Sequence, residues 1–213
     1  MIETIILLTR SCFDGRTLRG KVSLSRFHGI WLMNHTLYRL FNDGSKTEST
    51  LSPRLTRDVY VEMPRGNFNC RQGTTDPAII NRYNERNVLA YLAANVRSGI
   101  FVDVGAHIGL FSIYMGLRLA TSGKVVAIEP EPGNFSNLLR NISHNNLSNV
   151  ETLEGCAWSS RATLNLMTIS PGNDRVGDEG SYFLTEITDI QGITNQEVVR
   201  STSVPGYSLD ALL

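Results

Sequence analysis

The sequence predicts an α/β fold built on a parallel sheet, and three stretches predict it. "IFVDV" (Ile100–Val104), "KVVAIE" (Lys124–Glu129) and "NVETLEG" (Asn149–Gly155) are short apolar runs of strand length. The first two are each followed by a segment with helical spacing, "GLFSIYMGLRLA" and "PGNFSNLLRNISHNN". Strand, helix, strand, helix, strand at this spacing is βαβαβ, because parallel neighbours need a crossover between them. That is half of a doubly wound sheet.

The elements follow in order along the chain. "LSRFHGIWLMNHTLYRLF" is apolar enough for a packed helix, and "NDGSKTESTLSP" after it reads as a polar linker. His28 and His35 lie two helical turns apart but have no carboxylate or thiol nearby in the sequence, so they are poor metal candidates. "DVYVEMPRGNFNCRQ" alternates around a Pro-Arg-Gly-Asn turn, the pattern of a β-hairpin. "DPAIINRYNERNVLAYLAANV" then gives one helix or two short ones, with Asp76 and Pro77 as an expected N-cap and first-turn pair.

In the βαβαβ region, "IFVDV" reads as a fully buried strand. In the second helix Phe135, Leu138, Leu139 and Ile142 fall at i, i+3, i+4 and i+7, and Asn145-Asn146 is the expected stop. Beyond the third strand, "RATLNLMTI" and "VVRSTSV" predict further strands separated by an acidic, glycine-rich loop, "SPGNDRVGDEGSYF". "SLDALL" reads as the opening of a helix.

Composition restricts the function classes. The 213 residues carry 20 Lys/Arg and 20 Asp/Glu, so no net field draws the chain to nucleic acid or membrane. The balance is uneven: residues 1–100 hold 14 Lys/Arg against 8 Asp/Glu, and residues 151–213 hold 3 against 9. Scattered arginines on a solvated face account for the basic half. Three widely spaced cysteines without a C-x-x-C fit a reducing compartment rather than a disulfide framework or zinc site. "MIETIILLTR" has too short an apolar run for a signal peptide or membrane span, so the expectation is a cytoplasmic protein.

Functional chemistry concentrates in "DVGAHIG". In a doubly wound sheet, ligands bind beyond the carboxyl ends of the strands, where a turn offers backbone N–H groups. Gly105 and Gly109 leave backbone there that a Cβ would cover. A dinucleotide fingerprint requires G-x-G-x-x-G, yet His107 stands at its second glycine. Asp103 repels a pyrophosphate but suits a ligand with an ammonium group. S-adenosylmethionine carries an ammonium and a sulfonium and no phosphate, so the turn suits it better than NAD.

Glu129 ends the second strand, where a carboxylate accepts from both ribose hydroxyls, in NAD and S-adenosylmethionine alike. At the end of the third strand, "LEGCAW" is placed to face an adenine ring. Backbone groups around Gly155–Ala157 are its expected partners, with Pro130 and Cys156 as apolar walls. Ala106 lies within the turn. His107 either approaches the carboxylate or sulfonium end of the ligand or shapes the turn.

Taken together, "FVDVGAHIG", "VVAIEPEPGNFSNLLRNISHNNLSNVE", "EGCAWSS" and the lead-in "RQGTTDPAIINRYNERNVLAYL" resemble the FkbM-type class I methyltransferases. The resemblance covers residues 58–213 and leaves residues 1–57 as an N-terminal segment of unassigned role. It implies a Rossmann-like methyltransferase fold with additional β-strands that moves a methyl group from S-adenosylmethionine to a hydroxyl of a sugar, glycan or polyketide-like small molecule. Asp103, Gly105, Gly109 and Glu129 carry over to the cofactor site. His107 replaces a common Asn, and Glu85 matches an acidic position in the preceding helix that braces the methionine end of the cofactor or lies on the surface.

The family's further strand, with its lysine–isoleucine–aspartate–acidic–glycine motif, has no counterpart after "SLDALL". The resemblance thus implies a C-terminally truncated member with an incomplete sheet, exposed apolar surface and no assignable general base. Two alternatives stand beside it: a non-catalytic nucleoside-binding remnant and an NAD-dependent oxidoreductase. A nucleic-acid methyltransferase is disfavoured, since the chain has no N-P-P-Y-like tetrapeptide, no Pro-Cys nucleophile and no basic stripe interleaved with aromatics. The oligomeric state is not read from the sequence.

Overall fold

The computed structural model describes residues 10–41, 53–169, 181–185 and 198–211. Its contacts divide the chain into two units, Met1–Tyr91 and Leu92–Leu213.

In the first unit, helix α1 (Leu18–Phe41) begins where the Thr17 hydroxyl accepts from the Gly20 N–H at 3.1 Å, an ordinary side-chain cap. Leu24 and Phe27 face the interior and are buried. The expected hairpin forms from β1 (Val59–Met63) and β2 (Gly66–Cys70), antiparallel, with Val59 opposite Cys70 and Met63 opposite Gly66. That register leaves Pro64 and Arg65 as a two-residue loop. α1 packs on β1.

The next stretch forms two helices, α2 (Asp76–Ile80) and α3 (Arg86–Asn95). Asn81 separates them: its extended backbone ends α2, and its side-chain oxygen accepts from Tyr83 and Asn84 N–H groups, both at 2.9 Å. Asp76 is not the N-cap that the Asp-Pro pair suggests, since Thr75 holds that position. The buried Asp76 carboxylate instead takes a forked pair from Arg71 (Nε 3.0 Å, Nη2 2.9 Å) and the Arg71 backbone N–H at 2.8 Å. A second fork joins Arg82 to Asp14. His28 is buried edge-on against Phe27, and desolvation pulls its pKa down to about 4. His35 has a side chain outside the described residues.

The second unit holds the predicted βαβαβ, and it is Rossmann-like. Strands β3 (Gly99–Val104), β4 (Gly123–Glu129) and β5 (Val150–Glu154) form a parallel sheet in the order β3-β4-β5. α4 (Leu110–Leu119) and α5 (Pro132–His144) are the crossovers. Met115 and Leu119 of α4 pack on Val125, with Leu92, Val96 and Phe101 against them. At Gly116 a Cβ would stand 2.7 Å from a Val150 methyl, so the glycine lets α4 lie close to the sheet.

α5 departs from its apolar pattern in an informative way. Leu138 and Ile142 are buried as expected, but Leu139 is exposed, and the inward face is completed by Asn134, Asn137 and Asn141. The Asn141 amide donates to the Ile108 carbonyl at 2.9 Å, so a polar side chain holds the α5 face against the loop before α4. Asn145 and Asn146 end the helix as predicted, Asn146 in the left-handed region at φ 52°.

A second sheet follows, with strands β6 (Cys156–Trp158), β7 (Ala162–Ile169), β8 (Ser181–Thr185) and β9 (Val198–Ser208) in the order β6-β9-β7-β8. Cys156, Leu164, Leu166 and Val204 form its core. Three readings change here. "CAW" is a strand paired in parallel with β9, "VVRSTSV" extends to an eleven-residue strand, and "SLDALL" begins as a 3₁₀ turn (Leu209–Ala211). Most of the acidic loop lies outside the described residues, as does the linker over residues 42–52. β3 is less buried than its composition suggests, with Ile100 and Val104 each 54% exposed, because among the described residues it pairs only with β4.

Replacing Asn141 by Ala leaves the buried Ile108 carbonyl without this donor. The expected loss is about 1–3 kcal/mol of stability, against near-neutrality for Leu139→Ala on the exposed side of the same helix. Urea titration followed by circular dichroism measures both.

Candidate functional site

The candidate site is the turn that leaves β3. Three alternate residues, Gly105, His107 and Gly109, have φ values of +76°, +52° and +97°. The left-handed region costs a glycine nothing, whereas for histidine it is a strained placement. The strain is held by specific bonds. The Gly105 and Ala106 N–H groups donate to the Ile128 carbonyl at 2.9 and 3.0 Å, and Gly109 N–H returns to the Ala106 carbonyl at 2.8 Å.

The two glycines have different tasks. A Cβ at Gly105 would meet nothing within 4 Å, so this residue presents exposed backbone to open space. A Cβ at Gly109 would stand 2.7 Å from Leu138 Cδ1 and 3.2 Å from Ile113 Cδ1. A side chain at Gly109 would therefore have to displace the buried Leu138 and Ile113 as well as adopt a strained φ.

Glu129 is buried at the end of β4, and both its oxygens are engaged. Oε2 accepts from the His107 N–H at 2.7 Å; Oε1 accepts from the Glu131 N–H at 3.0 Å and from the Asn134 amide at 3.5 Å. Burial raises its pKa, and the N–H donors partly offset that. A carboxylate has about four lone-pair directions, so acceptor capacity remains after these bonds.

Asp103 is also buried, and its Oδ2 accepts from the Ser112 hydroxyl at 2.5 Å. Desolvation raises its pKa, opposed by the bonds from Ser112. Its carboxylate thus ties β3 to the first turn of α4. Asn134, Glu131 and Ser112, which build this shell, escaped the sequence reading. The Glu131 carboxylate accepts from the Asn134 N–H at 2.6 Å as the α5 cap, and an acid three residues before an Asn was the available signal.

The remaining predicted residues lie as follows. Ala106 is buried and Pro130 half-buried, both beside Glu129 in the chain or its bonded turn. The Cys156 thiol points into the core of the second sheet and donates to the Pro205 carbonyl at 3.6 Å, with its pKa raised by burial. The sulfur is thus committed to packing. Gly155, at φ +149°, lies so close to the Pro205 carbonyl that a Cβ would collide with it, while its N–H donates to the Glu129 carbonyl at 3.1 Å. Ala157 lines an open cleft of about 610 Å³ with Trp158, Ser159, Ser208, Leu209 and Asp210. Glu85 is exposed at φ +51° and belongs to the first unit. Among the described residues no group of three or more His, Cys, Asp or Glu is arranged to hold a metal ion, and no helix is long and apolar enough to cross a membrane.

Because burial raises the Asp103 pKa, its contribution to stability is complete below the unfolded value of about 3.9 and declines as pH rises through the raised folded value. Asp103→Asn removes that decline. Relative to the parent, the variant becomes more stable as pH rises from 3.5 towards neutrality, read from thermal unfolding across that interval. Gly109→Ala, with both a forbidden φ and a clash, destabilises more than Gly105→Ala, which meets the φ penalty alone (about 1–2 kcal/mol).

No family model matches the chain. Among curated proteins it is similar to the methyltransferase sdnD of Sordaria araneosa, 42% identical over 100 residues, which cover 45% of this chain and 38% of that protein. The matched portion is therefore well under half of the relative's length. Among solved structures it is similar to M. jannaschii TYW2 in complex with AdoMet (22% identity, 46% of this chain and 42% of that chain, TM-score 0.38). It is also similar to a SAM-dependent methyltransferase from Aquifex aeolicus (24%, 38% and 42%, TM-score 0.32). A third is the Pyrococcus abyssi tRNA (uracil-54, C5)-methyltransferase in complex with S-adenosyl-L-homocysteine (16%, 52% and 28%, TM-score 0.38).

Proposed function

We propose that the Leu92–Leu213 unit is the cofactor-binding part of an S-adenosylmethionine-dependent methyltransferase whose acceptor is a hydroxyl of a sugar, glycan or polyketide-like small molecule. The observation that carries the reading is the bond from the His107 N–H to Glu129, which fixes a carboxylate beside exposed glycine backbone at the ends of β3 and β4. The 42% identity to a curated methyltransferase supports the same class of reaction. The resemblance to FkbM-type enzymes supports the hydroxyl acceptor.

The residues present fit a nucleoside with a cationic tail. With three of its about four lone-pair directions taken, Glu129 retains one for a ribose hydroxyl, and the open space at Gly105 is the cradle that a Cβ would fill. Asp103 sets a negative charge two residues before that cradle, near the end of β3. Bound to Ser112 and buried, it acts on an ammonium group through its field and through the α4 backbone it positions. The Ala157 cleft takes the adenine in this reading, with the Trp158 ring as a stacking face and Asp210 as an acceptor for the exocyclic amine. Cys156 contributes through its backbone, since its sulfur faces the core. Pro130 follows the ribose acid as a wall. When bound, S-adenosylmethionine supplies a methyl group already activated on sulfur, so the chain's own work is to hold and orient.

A second reading, nucleoside binding without turnover, is favoured by one observation: among the described residues β3 has a sheet neighbour on one side only. Calorimetric titration of the 213-residue chain with S-adenosylhomocysteine and with NAD separates the classes. S-adenosylhomocysteine is expected to bind and Glu129→Ala to weaken it about ten- to hundredfold, the loss of a charged hydrogen-bond acceptor. Preference for NAD would sink the methyltransferase reading. Because the Glu129 pKa is raised, affinity falls as pH is lowered through that raised value, and the fall disappears in Glu129→Ala. A methyl-transfer assay on a panel of hydroxyl acceptors then decides between enzyme and binder.

A further inference from the structure

The first unit contains a second site with a different chemistry. Beside the first two turns of α1, a cleft of about 320 Å³ opens between the helix and the segment at Thr56. Three arginines line it, Arg19, Arg26 and Arg57, and among the described residues no carboxylate does. None of the three guanidinium groups makes a hydrogen bond or ion pair among the described residues. Three other arginines of the unit are engaged: Arg71 on Asp76, Arg82 on Asp14, and Arg65 on the carbonyls of Asn81, Arg82 and Asn84.

The other polar groups of the cleft are also donors. Ser23 Oγ and Thr56 Oγ1 lie 3.1 Å apart, and in such a pair one hydroxyl donates while the hydrogen of the other stays available. The N-terminal end of a 24-residue helix adds positive potential on the same side. The walls are apolar and open, Leu18 at 79% and Val22 at 64% exposure. A lining of three cations and a spare hydroxyl hydrogen, with no anionic group among the described residues, is complementary to an anion with several oxygens. The planar guanidinium fork matches phosphate oxygens two at a time. The volume lies at the small end of ligand pockets, roughly 300–1,000 Å³.

We propose that this cleft binds a phosphate ester, its oxygens on Arg19, Arg26 and Arg57 and its organic part on Leu18 and Val22. The bound phosphate belongs either to a soluble ester or to a phospholipid headgroup, and the two sources share the same recognition chemistry.

The test uses the whole 213-residue chain and three probes: inorganic phosphate, phenyl phosphate, and vesicles of phosphatidic acid in phosphatidylcholine with pure phosphatidylcholine vesicles as reference. Phenyl phosphate is expected to bind more tightly than inorganic phosphate by calorimetry, because it alone covers the apolar wall. Each single Arg→Gln substitution should weaken it about tenfold, and Arg19→Gln/Arg26→Gln/Arg57→Gln together should abolish it. All three side chains are exposed, so the triple variant is expected to keep the parent's melting temperature and its affinity for S-adenosylhomocysteine. That second readout separates this site from the one proposed for the other unit. Binding of phenyl phosphate without vesicle flotation assigns a soluble ester. Flotation with phosphatidic acid vesicles alone, lost in the triple variant, assigns the lipid headgroup. No binding to any probe, or binding that the triple variant retains, overturns the proposal.

Discussion

One carboxylate, that of Glu129, organises the parallel-sheet unit. Its Oε2 holds the His107 N–H, its Oε1 holds the Glu131 N–H, and its own carbonyl receives the Gly155 N–H. A single residue at the end of the middle strand therefore fixes the turn after β3, the start of α5 and the exit of β5. The bonds to a buried carboxylate are charge-assisted and lie out of water, where each is stronger than at a surface. The cost is desolvation, visible as the raised Glu129 pKa. The backbone donors around it offset that cost, so the site retains an ionisable acceptor without leaving it exposed.

The turn itself separates packing from recognition. Gly109 and Gly155 lack a Cβ because Leu138 in one case and the Pro205 carbonyl in the other occupy the space. Gly105 faces nothing, and there the bare backbone is free for a ligand. His107 adopts a conformation that glycine would take without cost, and the N–H that this conformation presents is the one Glu129 holds. Strain at one residue and a strong bond at the next atom thus belong together.

Most of the βαβαβ region was readable in the sequence, because buried strands and amphipathic crossovers each impose their own period on hydrophobic residues. Glu129 and the glycine turn were readable for the same reason: position at a strand end constrains residue type. The polar shell was not. Asn141 and Asn137 occupy inward positions of α5 where periodicity calls for apolar side chains, and the carbonyl of Ile108 gives Asn141 its place there. Cys156 illustrates the converse. Its place after the third strand suggested a ligand wall, yet β6 turns the sulfur into a second core, a tertiary choice that local sequence does not encode. Asp76 likewise has the local signal of a cap, and a forked bond from Arg71 outcompetes it.

The exposure of β3 gives these bonds their structural meaning. Among the described residues β3 takes backbone hydrogen bonds from β4 alone, and Ile100 and Val104 contribute little burial. A strand paired on both sides would be located by its ladders. Here side chains add to the backbone bonds from Gly105 and Ala106 to Ile128 in locating the C-terminal end of β3 and its turn. Ser112 binds Asp103, Glu129 binds the His107 N–H, and Asn141 binds the Ile108 carbonyl. Each of the three joins the β3–turn–α4 segment to a different element or to its own helix start. The cofactor site proposed at Gly105 and Glu129 accordingly draws on groups of the β3-β4-β5 half alone.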